Sequence, residues 1–202
     1  MLRSRAAAQD AELRALKAQL NPHFLFNALN SIRALISLDP PRAQALVTEL
    51  AGLLRYAIGS SDAQLVPLER ELQVTRGYLS LESARLEERL RVRIDVPDDC
   101  LRAPVPALLV QGLVENGIKH GVARLAEGGE IALSARMDAG QLRLEVTNPT
   151  APGSAPRAPG AGVGLQNARE RLRLLFGNLA SLELDEASPG VLVARLRLPG
   201  AA

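Results

Sequence analysis

The chain has one cysteine, no tryptophan, and only 2% aromatic residues among its 202 residues. A single cysteine, Cys100, excludes an internal disulfide framework and a multi-cysteine zinc site. Long apolar runs are also missing, and none reaches the roughly 18–20 residues that are needed to span a bilayer. The basic first residues are not followed by the apolar core of a signal peptide. We therefore expect a soluble chain, either by itself or as a piece of a membrane-anchored parent.

The charge pattern of a nucleic-acid binder is missing as well. The net charge is +2 at pH 7, and the arginines are interspersed with acids, as in the segment from Arg85 to Arg89. Such a pattern is typical of solvated helix faces and not of a basic patch, so we expect no direct contact with nucleic acid. Lysine and histidine are rare, with two of each against 22 arginines. Both histidines and one lysine fall within residues 21–27 and 115–121, which indicates chemistry in those two segments.

The first third of the chain predicts two helices. Leucine and phenylalanine recur at spacings of three and four within residues 6–38, and the helix they predict ends at Asp39-Pro40-Pro41, because proline cannot continue a helix. A second amphipathic helix is predicted at residues 42–58. A two-helix hairpin cannot bury its apolar stripe alone. The sequence therefore predicts a homodimer in which two hairpins form a four-helix bundle.

The rest of the chain predicts a mixed sheet with helices on one face, and hence an α+β fold. Periodicity and turn residues predict helices at 67–86, 104–120 and 165–176, and strands at 90–96, 130–137, 142–147, 181–185 and 191–198. A stretch rich in proline, glycine, alanine and serine at 149–164 predicts a mobile loop. The break between the two parts falls at residues 59–67, which divides the chain into predicted domains 1–62 and 63–202.

The first segment with candidate chemistry surrounds His23. This histidine lies on the predicted first helix, one position before Phe24, and is therefore turned about 100° from the apolar stripe. A neutral imidazole with a pKa of about 6.5 is a competent nucleophile at pH 7. The alternative is a helix-face histidine that merely packs against Phe24, and this segment alone does not separate the two interpretations.

The second segment lies near the end of the predicted helix 104–120. Glu115 and Lys119 are four residues apart, as are Asn116 and His120, so each pair shares a helix face. The amide oxygen of Asn116 suits a Mg²⁺ ion that is shared with substrate phosphates, whose charge Lys119 or His120 can neutralise. The alternative is a helix end that is capped by Gly121 and has cations matched to its dipole. That alternative does not explain Glu115 and Asn116 on an otherwise apolar helix.

The third segment, from Gly160 to Leu172, has glycines that lead directly into a predicted helix. Free backbone N–H groups and the helix dipole form an anion site at such a position. By itself this is a weak signal. The chain contains no Walker-type phosphate loop, and its strand order lacks a βαβ dinucleotide-binding unit.

Together, the three segments resemble the histidine kinases of the LytS-like family. There, an Asn-Pro-His-Phe-Leu-Phe-Asn box carries the phosphoacceptor histidine, and Glu-Asn-x-x-Lys-His-Gly and Gly-x-Gly-Leu-x-Asn boxes form the ATP site of a GHKL (Bergerat-type) domain. The resemblance covers residues 13–198 and includes the family's usual spacing of Glu71, Tyr78, Glu82 and Arg85. It implies an N-terminal helical hairpin that forms a dimeric four-helix bundle, followed by a Bergerat-type α/β sandwich that binds ATP.

The resemblance also implies roles for the residues that match the boxes. His23 would be phosphorylated, Asn116 would hold Mg²⁺, and Lys119 and His120 would lie beside the phosphates. The glycine box would supply the other cofactor-binding residues, namely Gly162 and Gly164 as the hinge of a lid over ATP, Leu165 beside them, and Asn167 at the start of the next helix.

Two further residues are candidates for catalysis. Glu115 is expected to accept or orient a proton, because Phe24 follows His23 where other histidine kinases often place an acid. Asn27 lies one helical turn beyond His23, and we expect it to orient the imidazole, or a water for dephosphorylation.

One position departs from the family pattern. Members usually have an Asp-x-Gly-x-Gly box after the third strand, whose aspartate hydrogen-bonds the adenine amino group. Here Asn148 stands at that position and the glycines are missing. An asparagine oxygen still accepts a hydrogen bond, but without the charge assistance that roughly doubles its strength. We expect weaker ATP binding or altered base selectivity.

The function that the resemblance implies is that of a sensor kinase core. ATP and Mg²⁺ would support autophosphorylation of His23, followed by transfer to an aspartate of a response regulator. The chain would be a homodimer and the cytoplasmic portion of an inner-membrane sensor. Two alternatives stay open: a non-catalytic dimeric pseudokinase scaffold with weakened nucleotide binding, and a GHKL ATPase or protein-serine kinase, which the Asn-Pro-His box disfavours.

Overall fold

The computed structural model describes residues 22–59, 64–150 and 163–200, and it begins with a helical hairpin. Helix α1 spans Pro22–Leu38 and helix α2 spans Pro40–Gly59. Between them, the Asp39 carboxylate accepts a hydrogen bond from the Arg42 N–H (3.1 Å) and caps α2. The predicted helix end at Asp39 is confirmed, whereas residues 6–21 of the predicted first helix lie outside the described residues.

Helices and the strands of a mixed sheet follow the hairpin. These elements are β1 (Leu65–Pro67), α3 (Leu68–Leu86), β2 (Leu90–Asp95), β3 (Pro104–Pro106), α4 (Leu109–His120), β4 (Gly129–Asp138), β5 (Gln141–Pro149), α5 (Val163–Phe176), β6 (Ser181–Ser188) and β7 (Val191–Pro199). Five of the strands form one sheet, in the order β2-β4-β5-β7-β6. Strands β2 and β4 are parallel, and the other neighbouring pairs in this sheet are antiparallel. The predicted α+β fold is thereby confirmed.

The prediction of a helix over residues 104–120 is wrong in its first part, because α4 begins at Leu109. Pro104–Pro106 instead forms strand β3, which pairs antiparallel with the unpredicted strand β1. The physical reason is proline, which lacks the N–H that a helix interior needs and is tolerated in short edge strands. Leu108, with φ +62°, then turns the chain into the helix. The central part of the predicted mobile loop, residues 151–162, lies outside the described residues.

One continuous apolar core joins the hairpin to the sheet. Strand β5 buries every second residue, and these side chains face the helices that cover one side of the sheet. Each fully buried leucine contributes about 1.5–3 kcal/mol. The core includes Leu46, Leu50 and Leu53 of α2, Leu72 and Leu79 of α3, Val110 and Leu113 of α4, and Leu142 and Leu144 of β5. The division into domains 1–62 and 63–202 stays a prediction.

Within the described parts of the chain, no helix is both long enough and apolar enough to cross a membrane.

Candidate functional site

His23 lies in the first turn of α1, where its side chain is exposed. The amide nitrogen of Asn27 lies 3.3 Å from its Nδ1 atom and 3.4 Å from its Nε2 atom. Because the two residues are one helical turn apart, the amide lies within contact distance of both ring nitrogens. The structure thus brings together two of the predicted catalytic residues and leaves the imidazole accessible.

Phe24 anchors this part of α1 to α3. Its ring packs against that of Tyr78, with 4.9 Å between the ring centroids. Such an aromatic pair contributes about 0.5–1.5 kcal/mol beyond its buried area. The packing role in this segment therefore belongs to Phe24, while His23 stays exposed to solvent. The interpretation of His23 as a packing residue loses its support.

Helix α4 carries the second set of candidates on the side that faces away from its core contacts. Glu115 and Asn116 are half-buried, and Lys119 and His120 are exposed at the end of the helix. Gln111 donates a hydrogen bond to the Glu115 carboxylate (3.2 Å), which holds that carboxylate along the helix. The polar stripe of α4 is therefore presented at the surface, as the spacing predicts.

The charges at the end of α4 differ between its two basic residues. The surrounding protein partly desolvates the His120 imidazole and so lowers its pKa, and the neighbouring cations Arg124 and Lys119 lower it further. His120 is therefore largely neutral at pH 7. Of the two candidates for neutralising phosphate charge, Lys119 would supply the positive charge, and His120 would supply a neutral hydrogen-bonding group.

The third segment contributes the start of helix α5. Gly164, Leu165 and Asn167 lie in its first two turns, and Gly162 lies outside the described residues. A Cβ atom at Gly164 would be 3.9 Å from the amide nitrogen of Asn116. The structure therefore places Gly164 against α4 and brings residues of the second and third motifs together.

Asn148 lies at the end of β5, buried against α4. Its Nδ2 group donates a hydrogen bond to the Pro149 carbonyl (2.8 Å). A Cβ atom at Gly117 would be only 3.1 Å from its Oδ1 atom, and one at Gly121 would be 2.6 Å from its Nδ2 atom. Gly117 of α4 and Gly121 directly after it thus allow Asn148 to lie beside the helix that carries Asn116.

Comparison with known proteins finds similar histidine kinases. A family model described as histidine kinase matches residues 11–90. The sensor histidine kinase YpdA of Escherichia coli is 36% identical over an alignment of 199 residues, and the match covers 94% of this chain and 34% of that protein. The sensor protein LytS of Staphylococcus saprophyticus is 36% identical over 200 residues, with the same coverage of 94% and 34%.

The chain belongs to the LytS-like family of sensor histidine kinases. It spans about a third of the length of the curated relatives that it matches. The fold agrees with the catalytic domain of the histidine kinase ThkA at a TM-score of 0.51 and 17% identity, which covers 67% of this chain and 95% of that one. The expected fold and family are therefore confirmed, whereas the individual site residues stay predictions.

Tight packing between Gly117 and Asn148 gives the first testable prediction. We expect Gly117→Ala to lower the free energy of unfolding by about 1 kcal/mol, because overpacking outweighs the gain in helix propensity. The added methyl group would also displace Asn148 and weaken ATP binding, which calorimetry measures. Gly112→Ala on the same helix is the control, since a Cβ atom there meets nothing within 4 Å. Equal stabilisation by both substitutions would contradict the prediction.

Asn148, which stands where the family usually has an aspartate, gives the second prediction. Asn148→Asp is expected to bind ATP about fivefold more tightly, since a carboxylate accepts a charge-assisted hydrogen bond from the adenine amino group. The same change loses the donor to the Pro149 carbonyl and costs about 1 kcal/mol of stability. Titration calorimetry and thermal unfolding measure the two effects, with the exposed Asn178→Asp as a control. An affinity no higher than that of the parent counts against the adenine contact.

The sequence did not predict a second group of polar residues. Tyr56 of α2 and Glu71 of α3 form a buried hydrogen bond of 2.7 Å. Arg171 of α5 donates to the carbonyl groups of Ala107 (2.6 Å) and Gln64 (3.2 Å). The family's usual spacing marks Glu71, but no signal in the sequence pairs it with Tyr56 or with the start of α4.

Proposed function

We propose that this chain is a kinase core that transfers the γ-phosphoryl group of ATP to His23. The observation that carries the proposal is the exposed His23 imidazole, with the Asn27 amide nitrogen within 3.4 Å of both ring nitrogens. His23 lies on a helix that Phe24 anchors to α3, and α3 in turn packs against α4, the helix of Asn116. The acceptor and the candidate donor residues are thus parts of one packed unit.

The transfer would proceed by in-line attack of an imidazole nitrogen on the γ-phosphorus. The nitrogen–phosphorus bond forms while the bond to the bridging oxygen breaks, and ADP leaves with the electron pair of that bond. The phosphorylated ring carries a proton on its other nitrogen, which Glu115 would accept or orient. Lys119 would offset the charge that spreads over the phosphoryl oxygens.

The donor residues of α4 suit Mg²⁺. Within residues 22–59, 64–150 and 163–200, no cluster of three or more histidine, cysteine, aspartate or glutamate side chains could hold a metal ion. Mg²⁺ does not need such a cluster, because it keeps several waters and is shared with substrate phosphates. The Asn116 amide oxygen would hold the ion, and Gly164 leaves the space beside it open. The ion would neutralise phosphate charge.

A homodimer is part of the proposal. The hairpin exposes large apolar side chains on the surface that α3 does not cover, and Phe26 is 67% exposed. Solvent-exposed apolar patches of this kind mark interaction surfaces. The hairpin of a second copy would cover them and complete a four-helix bundle. The other exposed apolar residues are Leu29, Ile36, Leu38, Val47 and Ile58.

The remaining partners follow from the family. We propose that the phosphoryl group passes from His23 to an aspartate of a response regulator, and that this chain is the cytoplasmic portion of a membrane-anchored sensor. The relatives YpdA and LytS are sensor proteins about three times as long as this chain, which supports a further sensing region.

One assay tests the proposal against its alternatives. The parent protein, incubated with Mg²⁺ and γ-labelled ATP, is expected to acquire label that acid removes, whereas α-labelled ATP should leave none. ATP binding without any label would favour a pseudokinase scaffold, an alternative for which Asn148 in the adenine box is the supporting observation. Acid-stable label would instead identify a serine or threonine kinase.

A further inference from the structure

A stripe of buried polar residues runs along one side of α3. Glu71, Thr75, Tyr78 and Glu82 follow one another at intervals of four, three and four residues, and all four are buried. Residues at these intervals share a helix face. Burying such groups is costly unless hydrogen bonds compensate, so the contacts of the stripe indicate what it does.

Glu71 joins two helices at one end of the stripe. Its Oε1 atom accepts hydrogen bonds from the Tyr56 hydroxyl (2.7 Å) and the Leu108 N–H (2.7 Å). Its Oε2 atom accepts them from the N–H groups of Val110 (2.9 Å) and Gln111 (3.4 Å). All four partners are donors, an arrangement that suits a carboxylate at the positive end of a helix. Burial raises the pKa of Glu71, and the four hydrogen bonds oppose that rise.

The three backbone donors form the start of α4, where further contacts fix the chain. Leu108 adopts the left-handed conformation, with φ +62°, directly before the helix. The preceding Ala107 carbonyl accepts a hydrogen bond from Arg171 of α5 (2.6 Å). Asn116 lies six residues beyond Val110, or about 9 Å along the helix. The orientation of Asn116 therefore depends on how this junction is held.

The other end of the stripe contacts the helix of His23. The Tyr78 ring packs against Phe24, the residue after His23. Burial raises the pKa of Tyr78 well above its usual value, and the nearby charges of Glu82 and Glu115 raise it further. Among the described residues, the buried hydroxyl of Thr75 between the two ends has no hydrogen-bond partner. The stripe therefore contacts the hairpin at its two ends. Glu71 accepts a hydrogen bond from α2, and Tyr78 packs against α1.

We propose that Tyr56 and Glu71 are positioning residues that fix the hairpin relative to α4, and thereby His23 relative to the nucleotide site. This inference rests on the proposed function, since it concerns the same transfer. The Tyr56 hydroxyl donates a hydrogen bond from the hairpin to the Glu71 carboxylate, and the same carboxylate caps the start of α4. A tilt of α2 is therefore coupled to the start of α4 through one carboxylate.

A purely structural role for the bond makes a different prediction. Tyr56→Phe removes the hydroxyl alone, and Glu71 keeps its three backbone donors at α4. If the bond only stabilises the fold, the variant should unfold at a lower temperature, and its folded fraction should transfer phosphate at the parent rate. If the bond positions the hairpin, the rate should fall in protein that is fully folded and saturated with ATP.

The experiment is single-turnover autophosphorylation of Tyr56→Phe in the full chain. At saturating ATP and Mg²⁺, the rate is expected to fall about tenfold, which corresponds to the loss of one hydrogen bond to a charged group. The Kd of a non-hydrolysable ATP analogue should stay within about twofold of the parent value, since the cap of α4 is intact. Arg70→Gln is the matched control, because the Arg70 guanidinium lies 5.4 Å from the centre of the Tyr56 ring and not at its hydroxyl. This control should transfer at the parent rate.

A distance measurement tests the same inference without activity. Spin labels on cysteines introduced at the exposed Gln44 of α2 and Glu127 beyond α4 should give a broader or shifted distance distribution in Tyr56→Phe than in the parent. Burial raises the pKa of the Cys100 thiol to about 11, with a further contribution from Asp99, so the native cysteine should stay unlabelled.

The outcomes separate the two proposals. A Tyr56→Phe rate equal to or above that of the parent overturns the positioning role, as does a Kd that weakens as much as the rate falls. A parent protein that acquires no label defeats the proposed function. In that case the spin-label distances still decide whether the bond fixes the hairpin, and an unchanged distribution rejects it.

Discussion

The His23→Gln protein is expected to acquire no acid-labile phosphoryl group from ATP, a loss of at least about 10³-fold relative to the parent. The reason is chemical, since glutamine has no nitrogen lone pair that can displace ADP. The substitution affects an exposed side chain, so the fold and the affinity for ATP should be unchanged. Filter-bound label after acid and alkali washes measures the effect.

The chain supplies its own control for this substitution. His120 is the only other histidine, so a histidine-linked label must reside on one of these two residues. His120→Gln should keep the acid-labile label, although at a lower rate, because the lost imidazole lies at the end of α4. Acid-labile label that persists in His23→Gln and disappears in His120→Gln would reverse the assignment.

The second large effect is expected for Asn116→Ala. Its amide oxygen is the proposed protein ligand of Mg²⁺, and the loss of a metal or electrostatic contact to a transferring phosphoryl group costs roughly 10²–10³-fold in rate. A carboxylate also binds Mg²⁺, so Asn116→Asp should retain more activity than Asn116→Ala. Autophosphorylation measured over a range of Mg²⁺ concentrations shows whether the loss is one of metal affinity.

An asparagine outside the site gives the matched control. Asn178 is exposed in a short helical turn at Gly177–Leu179, and Asn178→Ala should behave as the parent does. If Asn116→Ala also keeps the parent rate and the parent Mg²⁺ dependence, α4 does not hold the metal. The position of Gly164 beside Asn116 would then need another explanation.

Much of the fold could be predicted from local patterns. The hairpin turn follows from Asp39-Pro40-Pro41, whose prolines prevent a continuous helix, and the strands β4 and β5 follow from alternating apolar residues. Strand β3 was missed because its three residues include two prolines and continue directly into the apolar start of α4. A helix-like apolar run does not reveal where its hydrogen bonds begin, so the predicted start was five residues too early.

Some residues of the candidate site could likewise be predicted from local patterns, and others could not. His23 and Asn116 could be singled out because rare polar residues interrupt apolar helices at helical spacing. The resemblance marks Glu71 as a family position, but its role could not be predicted, since an acid in the first turn of α3 is also explained by the helix dipole, as its exposed neighbour Glu69 is. Its true partners, Tyr56 and the N–H groups of α4, lie 15 to 40 residues away in sequence. Only the packed fold brings them together.

The most direct test of the central claim is to locate the phosphoryl group. Trypsin cleaves after Lys17 and Arg33, and the peptide 18–33 contains His23 and Ser31 as its only residues that kinases commonly phosphorylate. After incubation with ATP and Mg²⁺, mass spectrometry under alkaline conditions should find one phosphoryl group on this peptide, and brief acid treatment should remove it. An unmodified peptide from protein that binds ATP, or a phosphoryl group that survives acid, would contradict the assignment of His23 as the acceptor.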